Sequence, residues 1–210
     1  MTLRRILTWA VMTTAFTVAE IPLRAGQAGT SATAAVITNN PEIQKSLDRL
    51  QKRSAVWRNA LAEVEKLGRK AVVVTPKNVR VKDPKNGKLR SFDRDVLAEV
   101  QPLAEHETRV DAVVVVINVA LLERMLASTD TVGDFEDDLD RVVAHEVYGH
   151  AIPYLLAGDL SGKCADPVPG QRAEDACAIK RENEIRAELR LGERRDYGLN
   201  GLAMARRSRH

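Results

Sequence analysis

Phe135-Glu136-Asp137-Asp138-Leu139-Asp140-Arg141-Val142-Val143-Ala144-His145-Glu146-Val147-Tyr148-Gly149-His150 is the stretch on which the architecture turns. Asp134, just before it, is a helix-capping residue type, and Glu136 and Asp137 put negative charge in the first turn, where the helix dipole favours it. Phe135, Leu139, Val142 and Val143 recur at helical spacing and define an apolar face. With His145 set at 0° on an ideal helix of about 100° per residue, those four fall at about 80°, 120°, 60° and 160°. Glu146 falls at about 100° and His150 at about 140°, so both point toward the core. An unpaired carboxylate on a buried face costs several kcal/mol, which a cation or a metal-bound group offsets. The two histidines lie five positions apart and diverge by about 140°, against about 40° for an i, i+4 pair. Convergence on one ion needs the turn to open by one residue, as in a π-bulge, and Gly149 is a residue that permits it.

The pattern His145-Glu146-x-x-x-His150 resembles the HExxH signature of zincin-type zinc metallopeptidases, and its spacing is similar to the HELLGH-type motif of the dipeptidyl peptidase III family. In such enzymes two imidazoles bind Zn2+ and the glutamate is general base to the metal-bound water. The resemblance implies peptide-bond hydrolysis by a metal-activated water, with His145 and His150 as ligands and Glu146 as general base.

A catalytic zinc usually takes three protein ligands. Residues 173–191 read as a second helix stopped near Gly192 and rich in carboxylates. With Asp175 at 0°, the apolar residues Ala178, Ile179, Ile185 and Leu189 cluster around it, Glu182 lies at about 340° and Arg186 at about 20°. Glu184 and Glu188 sit at about 180° and 220°, on the polar side. The facial argument therefore nominates Asp175 and Glu182, with Arg186 one turn on to neutralise Glu182. Asn183-Glu184-Ile185-Arg186-Ala187-Glu188 resembles the second motif of the dipeptidyl peptidase III and thermolysin-like enzymes, which implies Glu184 as ligand with Glu188 behind a histidine. The longer stretch from Asp175 through Glu182-Asn183 and Arg186 to Arg194 and Tyr197 resembles effector-type and clostridial-neurotoxin-like zinc peptidases. That second resemblance implies Asp175 as ligand, Glu182, Asn183 and Arg186 as supporting shell, and Arg194 and Tyr197 facing the oxyanion of the tetrahedral intermediate. The third ligand stays open between Asp175 and Glu182, and His106 reads as a surface residue.

The rest of the chain is consistent with an α+β, zincin-like fold: an N-terminal helix and small mixed sheet, then the metal-binding helix and the acidic ligand helix. Asn40-Pro41-Glu42 is a helix start, and Ile43, Leu47, Leu50, Trp57, Leu61, Val64 and Leu67 predict one long amphipathic helix ended by Gly68. Short strands are expected over 71–75, 79–81 and 88–92, the last two joined across Asp83-Pro84-Lys85-Asn86-Gly87, whose Asn-Gly is a hairpin-turn signal. Four consecutive valines make residues 110–117 a strand buried on both faces or at a covered edge, and the zincin resemblance makes it the cleft edge that pairs with an extended peptide. A short helix is expected over 119–126, followed by a polar loop. The resemblance covers roughly Val110 to Tyr197.

Composition bounds the rest. At 210 residues, 44% hydrophobic and 29% charged, the chain is of ordinary globular type and long enough for one core. With two Trp, three Tyr and three Phe, that core must be built from aliphatic side chains. A net charge of +3 is far from the one-sided charge of a nucleic-acid binder, so none is expected as a partner; the expected partner is a peptide or protein substrate. Residues 1–28 read as an export signal, with Arg4 and Arg5 before a short apolar run and small residues after it; cleavage after Ala19 or after Ala28 stays open. Export to the periplasm or the exterior follows, with no membrane insertion after cleavage. In an oxidising compartment Cys164 and Cys177 are expected to form a disulfide. The expected division is the signal, a linker over 29–40, one domain over 41–200 and a basic tail over 201–210. Two further readings stand beside the peptidase: a zincin-like secreted binding or scaffolding protein that does not cut, and a noncatalytic structural metal site.

Overall fold

A computed structural model describes residues 35–77, 79–82, 88–102, 112–127, 134–158, 164 and 173–195. The expected export signal, the turn over 83–87, His106, Tyr197 and the basic tail lie outside the described residues. The elements in order are β1 (Val36–Thr38), α1 (Pro41–Arg53), α2 (Ala55–Lys66), β2 (Lys70–Val74), β3 (Arg80–Lys82) and β4 (Leu89–Ser91). They continue with β5 (Ala98–Pro102), β6 (Ala112–Ile117), α3 (Val119–Ala127), α4 (Phe135–Val143), a π-helix (Ala144–Ala151), α5 (Ile152–Ala157) and α6 (Ala173–Glu188). The class is α+β, as expected.

A four-stranded sheet runs in the order β1-β2-β6-β5. β1, β2 and β6 are parallel, with Ala71 opposite Val113 and Val73 opposite Val115, and β5 is antiparallel to β6. β3 and β4 form a separate antiparallel pair, as the Asn-Gly signal between them predicts. The period of two in a strand sorts the valines of β6. Val113, Val115 and Ile117 join the main core with Ile43, Leu50, Trp57, Leu61 and Val143, while Val116 packs with Phe92 in a smaller cluster that Val114 flanks. β6 is thus covered on both faces.

It is also paired on both sides, which corrects the expectation that residues 110–117 form the cleft edge: an interior strand has no backbone groups left for a peptide. Among the described residues the outer strand beside the π-helix is β5, which carries no run of β-branched residues to announce it. The stretch expected as linker contributes β1, whose Val36 is buried in the core together with the preceding Ala35.

The single long helix expected after Pro41 is two. Ser54 takes extended backbone angles, φ −117° and ψ 118°, caps α1 through its N–H on Leu50 O, and caps α2 by accepting from Trp57 N. Its hydroxyl also donates to Glu188, so the joint is tied to α6. A serine three residues before the apolar Trp57 is an N-cap signal that the unbroken apolar periodicity concealed. α1 is further fixed to α4 by Arg49, whose guanidinium pairs at 2.8 Å with the buried Asp140.

α6 closes in a Schellman turn. Leu191 N donates to Arg186 O, Arg190 N donates to Ala187 O, and Arg190 takes a left-handed φ of 60° where glycine is the usual residue. The buried Leu191 anchors the reversal, which sends the chain back along α6. Because a left-handed conformation costs a residue with a Cβ about 1–2 kcal/mol, Arg190→Gly should raise stability by about 1 kcal/mol in urea unfolding. A loss of stability in that variant would show that the arginine side chain outweighs its backbone.

Candidate metal centre

The segment bearing His145, Glu146 and His150 is π-helical, so the turn is opened as convergence of the two histidines requires. Ile152 N donates to Val147 O, the i to i−5 bond that defines the wider turn. The imidazoles of His145 and His150 meet edge to face with centroids 5.0 Å apart. Two local features accommodate the widened helix. Pro153 has no N–H for the carbonyl of Gly149 one turn back, and Arg181 of α6 donates to that oxygen instead, at 3.1 Å. Gly149 faces α6 so closely that a Cβ would lie 3.0 Å from Ala178 Cβ and 3.2 Å from Ala178 O. Its missing side chain lets the two helices touch; its backbone angles are ordinary.

Burial on α6 follows the facial argument. Asp175, Glu182 and Arg186 are buried, Glu182 completely, while Glu184 and Glu188 are exposed. Glu184 accepts from the Tyr148 hydroxyl at 2.6 Å and Glu188 accepts from the Ser54 hydroxyl, so each of the two carboxylates that the thermolysin-like resemblance nominates has another partner. Burial and the hydrogen bond to Glu184 together raise the Tyr148 phenol above its ordinary range.

Glu182 lies behind the His145 ring. Its Oε2 meets His145 Nδ1 at 2.9 Å and accepts from Arg194 Nη1 at 2.8 Å, and its Oε1 accepts from Arg186 Nη1 at 2.8 Å. Burial pushes this carboxyl up, but the His145 hydrogen bond and the Arg194 and Arg186 charges prevail and hold it down at about 2. With Nδ1 turned to a carboxylate, the buried Nε2 is the nitrogen His145 offers to an ion. Arg194 thus meets a carboxylate behind the histidine, where the neurotoxin-like resemblance had it facing an oxyanion.

Glu146 is buried on the same segment. Desolvation pushes its carboxyl above the ordinary range; His145 and Arg194 act against that, and the charges of Glu182 and Asp175 add to it. Those four groups are the charges that act on it. Sequence reasoning missed two contacts here. Arg181 serves the proline-orphaned carbonyl of Gly149, for which Pro153 itself was the available signal. The buried pair of Asp138 and Arg141, 2.5 Å apart, stands one turn before His145, and its i, i+3 spacing of opposite charges was legible.

Two imidazoles beside buried carboxylates are a donor set that suits zinc. Among the described residues, however, no group of three His, Cys, Asp or Glu side chains is drawn together as a metal site requires. A disulfide joins Cys164 to Cys177, as expected, and holds the start of α6 two residues beyond Asp175. No helix among the described residues is long and apolar enough to cross a membrane. No protein-family model matches the chain, and no curated protein or solved structure does either.

In a helix interior Gly→Ala ordinarily stabilises by about 1 kcal/mol. Gly149→Ala should reverse that sign and cost about 1–3 kcal/mol in urea or thermal unfolding, because the atoms its Cβ meets include backbone that cannot rotate away. A more stable variant would refute the close approach of the two helices.

Proposed function

We propose that the chain is an exported zincin-type zinc peptidase that hydrolyses a peptide bond in an extended peptide or protein substrate. The observation that carries this is the π-helix, which turns an i, i+5 histidine pair from divergent to facing, 5.0 Å apart, with Glu146 on the same segment. His145 and His150 would hold Zn2+ with Asp175 as third ligand. Glu182 is the weaker choice, since both its oxygens are engaged by His145, Arg186 and Arg194. A bound zinc supplies Lewis acidity, polarising a carbonyl and lowering the pKa of water.

The protein's own groups supply the rest. The Glu146 carboxyl, raised by burial, is suited to take a proton from the attacking water and deliver it to the leaving amine. Glu182 orients the His145 ring through Nδ1. β5, antiparallel and outermost beside the π-helix, offers the edge on which an extended substrate can add a strand. Tyr197 keeps the role the resemblance implies, hydrogen-bond donor to the oxyanion. The disulfide is compatible with export to the periplasm or the exterior.

A second reading, a zincin-like binding protein that does not cut, draws support from the absence of a third gathered ligand among the described residues. Metal analysis and a peptide library decide between them. The expected result is stoichiometric zinc, with cleavage that a chelator abolishes and added zinc restores. Glu146→Gln should keep the zinc and lose cleavage by a factor of about 100 or more. Zinc without cleavage in the parent chain would favour the binding protein, and no zinc at all would end both metal readings.

A further inference from the structure

We propose that Arg194 is a positioning residue acting on His145 through Glu182, and that Asn183 is its anchor. The metal part of this inference rests on the zinc reading above; the geometry does not. The left-handed turn at Arg190 reverses the chain after α6 and lays residues 192–194 back along the helix. Asn183 grips the returning backbone from both sides: its Nδ2 donates to Arg194 O and its Oδ1 accepts from Arg194 N, each at 2.8 Å. Two such bonds hold the peptide groups on either side of the Arg194 Cα, so the side chain starts from a fixed point.

The side chain ends on Glu182. Arg194 Nη1 donates to Oε2, the same oxygen that meets His145 Nδ1, and lies 3.4 Å from Nδ1 itself. Arg186 holds the other oxygen and also donates from Nε to Gly192 O at 2.6 Å, so it braces both the carboxylate and the returning strand. Each oxygen of Glu182 thus has its own guanidinium, and the carboxylate cannot rotate without breaking a charge-assisted bond. The ring of His145 inherits that rigidity. An oxyanion-binding arginine would instead need its guanidinium on the side of the ring away from Nδ1.

Three readouts separate the roles in the full chain. In metal-free protein, the downfield proton NMR resonance of His145 Nδ1–H should be present in the parent and lost or shifted in Arg194→Met and Asn183→Ala. Zinc affinity, measured by competition with a chelating dye, should fall about 10- to 100-fold in both, the effect expected of a partner behind a ligating histidine. The visible spectrum of the cobalt-loaded protein should change as well. Asn183→Asp keeps the acceptor for Arg194 N–H and should recover part of each effect; with Arg194→Lys it also serves if the harsher variants fail to fold. An unchanged resonance and zinc affinity with a lowered kcat would return Arg194 to the oxyanion. A lower melting temperature with both unchanged would make the clamp merely structural. A parent chain that binds neither zinc nor cobalt would sink the metal reading, while the His145 resonance would still decide the positioning.

Discussion

A carboxylate with no solvent exposure sits where three basic groups converge, and much of the described site depends on how that charge is satisfied. Glu182 takes His145 from the π-helix, Arg186 from its own helix and Arg194 from the returning chain. Burying such an ion alone would cost several kcal/mol, so removing any one partner exposes part of that penalty. The requirement propagates outward. Arg186 must stay buried to reach Oε1, and the chain must reverse after α6 to bring Arg194 to Oε2, a reversal made through the left-handed Arg190.

The second constraint is the near contact of the π-helix with α6. The extra residue in the turn brings the histidine rings together, and a proline one turn later leaves a carbonyl that Arg181 satisfies from the facing helix. Gly149 removes the side chain that would hold the helices apart. The Cys164–Cys177 bond ties α6 down near its start, and Glu188 ties it near its end to the Ser54 joint. α6 is thus tied near both ends, while its middle meets the π-helix through Ala178, Arg181 and Glu182.

Several of these features were legible. The i, i+5 spacing demanded a widened turn if the histidines were to converge, and the facial angles on α6 separated buried Asp175 and Glu182 from exposed Glu184 and Glu188. Capping by Asp134 and Asn40 was plain from residue type and position. The break at Ser54 was hidden because apolar spacing on either side of it stays in phase. β1 and β5 were hidden because short strands of mixed composition acquire their pairing from neighbours distant in the chain.

Local chemistry, as the sequence by itself states it, determined which carboxylates of α6 would be buried, where α1 and α4 begin and that the second histidine could meet the first only through an irregular turn. Those outcomes depend on spacing and side-chain type within one element. Tertiary structure alone decided that β6 is interior and β5 outermost, that Glu182 stands behind His145, and that Arg194 returns to the carboxylate. Each of those joins groups brought together by sheet order or by chain reversal. The free energy of a buried charge selects among such long-range pairings, and no periodicity along the sequence records it.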